Sequence, residues 1–224
     1  MRTRKRLGPA AAGAAALAVL LSTAACSSGA PEAGRAPEAT AAPAGFWGAH
    51  AGAAASEANP PADVADLAGR SDLVVLGTVT GAEEGKEYAD PGKPVSRTSN
   101  IRIAVDKASR PGVKEAVVEF TRDPAHDLKD VTGKLPQGQY VFYLTSWYEG
   151  PDGPVYSCAA TSACVVAAKD GVLETPRDPE AAKELTEGTR AAASAGGAAK
   201  GARSAAAQPR LNSAADVFAL GAAG

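Results

Sequence analysis

Imidazole is the side chain best suited to move protons near neutral pH, and this chain has only two. His50 stands in an Ala/Gly/Pro-rich stretch with no evident partner. His126 lies in Arg122-Asp-Pro-Ala-His-Asp127. There Asp123, His126 and Asp127 offer one imidazole and two carboxylates, donor types that suit a divalent cation. Three ligands on one polar loop, with no fourth, read equally as a solvated turn, so neither a metal nor another cofactor is assigned. A serine nucleophile would have His126 as its only base in the domain, and no serine has a distinctive context. No pair of carboxylates stands out for glycoside chemistry. The nucleophile elbow, zincin, phosphate-loop and dinucleotide signatures are all absent. The expectation is a non-catalytic protein. The alternative is an envelope hydrolase or metal-dependent enzyme using the His126 loop.

Aromatic side chains offer a second kind of chemistry, which is ligand stacking. Five of the chain's eleven aromatics lie between Tyr140 and Tyr148. Strand alternation puts Tyr140, Phe142, Leu144 and Tyr148 on one face, and Val141, Tyr143 and Trp147 on the other. A strand apolar on both faces is usually central and covered twice. The functional alternative makes Tyr143 and Trp147 a platform for sugar or peptide. Phe46-Trp47 is a further aromatic pair, either docked on the domain or loosely ordered.

Composition decides which segments can position these groups. Of 224 residues, 45% are hydrophobic but only 5% aromatic. Alanine explains the mismatch, with 53 copies of which six lie between Ser71 and Gly150. Alanine buries little area, so the flanks cannot build a large core. Residues 1–25 begin with Arg2, Arg4, Lys5 and Arg6, followed by an apolar run from Leu7 to Leu21. This is the order of a secretory signal. Thr23-Ala-Ala-Cys26, after Leu20-Leu21-Ser22, resembles a bacterial lipobox, with Thr23 where Leu, Val or Ile is usual. The resemblance implies that Cys26 carries a diacylglyceryl group and begins the mature chain, anchored on the outer face of the cell membrane. Two acyl chains of the palmitate kind hold firmly, since each buried CH₂ contributes about 0.8 kcal/mol.

Residues 1–25 hold four basic residues and no acidic ones, leaving 19 basic against 25 acidic and a net charge of −6. Such a chain lacks the positive footprint of a nucleic-acid binder. The expected partners are the membrane through Cys26, and an envelope protein or wall polymer. Two cysteines remain, Cys158 and Cys164, and outside the cytoplasm such a pair implies a disulfide. A C-x5-C metal or redox pair is the alternative, although redox sites usually show C-x-x-C.

Residues 26–61 have the composition of a disordered tether. A domain follows over 62–176, then an Ala-rich tail over 177–224 with short helical segments at 178–187 and 213–220. The domain opens with a short helix at 62–69, between Pro61 and Gly69. Strands are expected at 72–80, around Ile101, Ile103 and Val105, at 113–121, at 139–147, at 164–168 and at 171–174. Gly77 should mark a bulge or kink. Gly85 to Pro94 reads as a polar loop, and Asp170-Gly171 as a tight hairpin. The pattern is mainly β: a small barrel or sandwich of six or seven short antiparallel strands with Ala-rich flanks.

Three segments carry a wider resemblance: Ser71-Asp-Leu-Val-Val-Leu-Gly-Thr-Val79, Ile101-Arg-Ile-Ala-Val-Asp-Lys107 and Leu135-Pro-Gln-Gly-Gln-Tyr-Val-Phe-Tyr-Leu144. Together they are similar to secreted lipoproteins, mostly actinobacterial, that carry an OB-like, tissue-inhibitor-like small β-barrel. The resemblance implies a fold over roughly 63–175 and brings no catalytic set. The N-terminal cysteine ridge of the animal inhibitors is missing, and with it any expectation of their activity. A spacer whose Ala-rich segments matter more than the domain is a third reading.

Overall fold

The computed structural model describes residues 45–50, 57–199 and 209–222. Cys26, the signal segment and most of the tether lie outside the described residues. Seven strands make up one sheet system: β1 (Leu73–Tyr88), β2 (Ser96–Ala108), β3 (Glu115–Thr121), β4 (Tyr140–Gly150), β5 (Gly153–Cys158), β6 (Val165–Lys169) and β7 (Val172–Glu174). Their order is β1-β2-β3-β5-β4-β6-β7, and β1 also pairs with β4. That extra pairing closes β1-β2-β3-β5-β4 into a five-stranded barrel. β3 and β5 run parallel through Val117↔Val155 and Val118↔Tyr156, while the other pairs are antiparallel. A small closed barrel is what the strand pattern suggests, but the β3–β5 pair is parallel where antiparallel strands alone are expected, because β5 returns along β3 after pairing with β4. A short helix, α3 (Leu128–Thr132), joins β3 to β4.

Closure requires sharp coiling, and β1 supplies it. Its register against β2 shifts at Leu76/Gly77, at Val79/Gly81 and at Glu84/Glu87. At the first shift Gly77 sits so close to the Ala104 carbonyl that a Cβ would overlap it. Glycine therefore marks a bulge here, as the sequence suggests. β1 continues to Tyr88, through the first part of the segment read as a polar loop. Both faces of the β1–β2 tip meet solvent, so that part of the strand needs no apolar alternation.

Alternation sorts β1 and β4 into two cores. Leu73, Val75, Phe142 and Leu144 point into the barrel with Ile101, Ile103, Val118 and Phe120. Val74, Leu76, Val141 and Tyr143 point outward into a second apolar layer. That layer is completed by α2 (Val64–Gly69), α4 (Pro179–Ala199) and α5 (Ala214–Gly221) through Val64, Leu67, Leu185, Leu211, Val217 and Phe218. Asp63 caps α2 by accepting from the Asp66 amide at 2.8 Å. Ser213 and Asp216 form a reciprocal capping box on α5.

The domain is therefore larger than residues 62–176. Phe46–Ala49 form a helical turn, α1, whose four residues are all buried. Phe46 and Trp47 belong to the barrel core. Trp47 stands edge-on to Tyr140 at 5.4 Å and to Phe120 at 6.3 Å. The tail contributes a 21-residue α4 where a shorter helix is expected. These segments bring Phe46, Trp47, Leu185, Val217 and Phe218 against the branched residues of the strands. Among the described residues no helix is long and apolar enough to cross a membrane.

Candidate functional site

The outer face of β2 and β3 carries a carboxylate held by hydroxyls. Glu119 on β3 is half-buried. Tyr88 Oη donates to its Oε1 at 2.8 Å, and Tyr148 Oη to its Oε2 at 2.9 Å. Thr98 Oγ1 lies 3.0 Å from Oε2 and 2.9 Å from the Lys86 carbonyl, sharing one proton between two acceptors. Burial and the neighbouring Glu119 push the Tyr148 phenol up to about 12. Burial is also the main cause that raises Tyr88, with Glu119 adding to it and the Trp147 hydrogen bond opposing it. Both phenols therefore stay protonated donors at neutral pH, and the carboxylate is held rigidly.

Aromatic rings surround that carboxylate. The register of β4 against β5 shifts between Ser146 and Tyr148, at Trp147. The bulge turns Trp147 outward, 57% exposed, with its Nε1 donating to Tyr88 Oη at 3.4 Å. Tyr88 is itself 38% exposed. Lys86 Nζ sits 3.1 Å from the centroid of the Tyr148 ring, a cation–π contact. Arg102 spans the same face, bonding Glu115 at 2.8 Å, Glu83 at 3.2 Å and Asp152 at 3.5 Å. These pairs are exposed and contribute little stability, but they link β1, β3 and the β4–β5 turn. Strands β2 and β3 of this face are flanked by the β1–β2 loop and the β4–β5 turn. The face is acidic, with Glu83, Glu87, Glu115, Glu119 and Asp152 against Lys86, Arg97 and Arg102. A polyanion does not suit it.

Of the two residues expected to form a platform, Trp147 is exposed and Tyr143 is not. Tyr143 is completely buried. It shares the outer face of β4 with Trp147 but lies beneath α5, where Gly221 packs against its ring. Its hydroxyl is buried without a partner, and burial raises its pKa strongly. Alternation gives the side of a sheet and not what covers it. Tyr88, Glu119 and Tyr148 complete the site; Tyr148 belongs to the aromatic cluster of the sequence, whereas Tyr88 and Glu119 gave no signal. Tyr88 fell in the polar loop, Glu119 looked like ordinary surface charge, and cross-strand register is not written in local patterning.

The His126 loop does not converge. His126 Nδ1 is 3.9 Å from Asp123 Oδ2, and the ring is exposed. Asp123 Oδ1 accepts from the Ala125 amide at 2.8 Å, a local turn. Asp127 caps α3 by accepting from the Lys129 amide at 3.0 Å. Both carboxylates serve the backbone. Among the described residues no group of three His, Cys, Asp or Glu side chains is placed to hold a metal.

Two further features lie elsewhere. His50 is fully buried in the barrel core, with both ring nitrogens unpartnered. Burial first, then the charges of Arg177, Arg122 and His126, pull it down to about 4. A groove of about 900 Å³ runs between the β6–β7 hairpin and α4, lined by Trp47, Tyr140, Leu173, Lys183 and others. Its tryptophan is only 7% exposed and packs into the barrel. The exposed rings are on the Glu119 face. The Cys158–Cys164 disulfide closes the segment between β5 and β6, with Cα atoms 5.0 Å apart. Comparison with protein-family models, curated proteins and solved structures finds no match to the chain.

Proposed function

We propose that this chain is a lipid-anchored extracytoplasmic protein whose barrel binds a neutral glycan, a segment of wall polymer, without transforming it. The carrying observation is the exposed Trp147 ring beside a carboxylate fixed by Tyr88, Tyr148 and Thr98. Sugar rings present C–H faces that stack on indole and hydroxyls that donate to a carboxylate. A site with both groups held in place loses little entropy when it binds. The acidic surroundings argue against anionic polymers and leave uncharged ones. The lipobox-like segment ending at Cys26 supports the anchor, which would keep such a domain close to the wall.

The tryptophans provide the test. Trp47 is buried and Trp147 exposed, so added ligand should change only Trp147 emission. Titrating the full chain with soluble neutral wall oligosaccharide should give a saturable fluorescence change. Glu119→Gln should weaken it roughly tenfold, since a hydrogen bond to a charged group contributes about 1.5–3 kcal/mol. No change in emission at millimolar sugar would remove the support for glycan binding.

A further inference from the structure

Arg177 is a half-buried cation with an unusual set of partners. Its Nη1 lies 3.5 Å from Cys158 Sγ, its Nη2 donates to the His50 carbonyl at 2.7 Å, and its Nε is buried and unpartnered. The guanidinium carbon sits 4.6 Å from the Phe120 ring centroid. Among the described residues no carboxylate pairs with it, and burial alone pulls it down to about 10. It remains charged at neutral pH. A half-buried charge facing only neutral groups loses hydration without gaining a counter-charge, and a disulfide sulfur is a weak acceptor.

The two sulfurs sit in different surroundings. Cys164 is fully buried, with Sγ 3.7 Å from the Tyr143 carbonyl, whereas Cys158 is half-buried against Arg177. Reduction would convert each contact into a stronger one. Cys164 as a thiol has an acceptor at the Tyr143 carbonyl, and Cys158 as a thiolate has a counter-charge at Arg177.

We propose that the Cys158–Cys164 pair is a thiol–disulfide exchange site, opened through Cys158 by an extracytoplasmic dithiol reductant. One thiolate of the reductant attacks Cys158 Sγ. The Cys158–Cys164 bond breaks, and its electron pair goes to Cys164, which takes up a proton and becomes a thiol. The reductant's second thiol, losing its proton, then attacks its own sulfur in the mixed disulfide. Cys158 leaves as a thiolate facing Arg177, and the reductant departs as a disulfide. Two electrons pass from the dithiol to the protein. The leaving thiolate is the one with a cation beside it, which speeds exchange. Arg177 also holds the end of α1, so the exchange site and the barrel plug share one side chain.

The test is a redox titration of the full chain in dithiothreitol buffers, read by mass spectrometry of alkylated peptides. Arg177→Gln should make the pair roughly tenfold harder to reduce, because a charge-assisted hydrogen bond to the thiolate is lost. Arg177→Lys, which keeps a cation, should stay closer to the original chain. Equal midpoints for all three proteins would overturn the proposal. If the variants fail to fold, the reduced native chain carries the test through Cys158, whose facing ionisable groups are Arg177 and, behind it, His50. Its alkylation by iodoacetamide should persist below pH 7, whereas an ordinary thiol titrates near about 8.5. A rate falling tenfold per pH unit from that value would overturn the proposal as well.

Discussion

A carboxylate on a sheet surface usually spends its lone pairs on water, and Glu119 gives three of its roughly four acceptor positions to two phenols and a threonine, which leaves one for a ligand. Tyr143 shows the opposite arrangement, a phenol buried with its hydroxyl unpartnered. Tyr143→Phe should therefore be neutral or slightly stabilising in urea unfolding. Tyr143→Ala should cost about 3–5 kcal/mol, as for other large buried rings. His50 sets an acid limit. It titrates near about 4 in the fold against 6.5 when free, so the unfolded chain takes up the proton first. Its contribution is complete above pH 6.5 and is lost as pH falls toward 4, by about 3 kcal/mol in all. Urea midpoints measured between pH 7.5 and 4.5 should fall accordingly, and His50→Phe should flatten that part of the fall. At this scale the Tyr140–Tyr148 aromatic cluster is visible in the sequence, and Trp147 within it is exposed. The burial of Tyr143 is not visible there, because its cover comes from a helix more than 70 residues later in the chain, Ala214–Gly221.

Elements were legible where period and punctuation coincide. Leu73–Leu76, Ile101–Ile103, Val165–Val166 and the Asp170-Gly171 turn all appear where β-branched runs and turn residues place them. α5 begins at its serine cap. Strand β5 was not legible, because only Val155 and Tyr156 are buried in it and Pro154 interrupts its pattern. Yet β5 closes the barrel by pairing with both β3 and β4. α1 was hidden for a related reason. One helical turn in an Ala/Gly field has no periodicity to read, and its stability comes from contact with Phe120, Tyr140 and α3. Trp47→Ala should therefore lower stability by about 3–5 kcal/mol, measured as a drop in urea midpoint. A drop below about 1 kcal/mol would mean that α1 does not plug the barrel.

At the scale of the whole molecule, alanine abundance and a well-packed domain coexist because the strands carry most of the large side chains and the flanking helices add a few, Phe46, Trp47, Leu185, Val217 and Phe218. α5 covers the outer faces of β1 and β4 while α4 packs on β7, which leaves β2, β3 and the tip of β4 as the uncovered side. A lipid at Cys26 would tether that domain to the membrane. Cys26→Ala should shift the protein from the membrane fraction to the medium, or stall it as an unprocessed precursor. Unchanged retention after the acyl chains are removed would contradict the anchor. The claim that joins anchor, barrel and exposed face is glycan binding at Trp147. Co-sedimentation of the mature chain with de-proteinised wall polysaccharide tests it most directly, comparing the native sequence with Trp147→Ala. The prediction is saturable binding weakened roughly thirtyfold by the substitution, the loss of about 2 kcal/mol typical of an exposed tryptophan anchor, with the melting temperature unchanged. Equal binding by the two proteins, or no binding by either, would contradict the account.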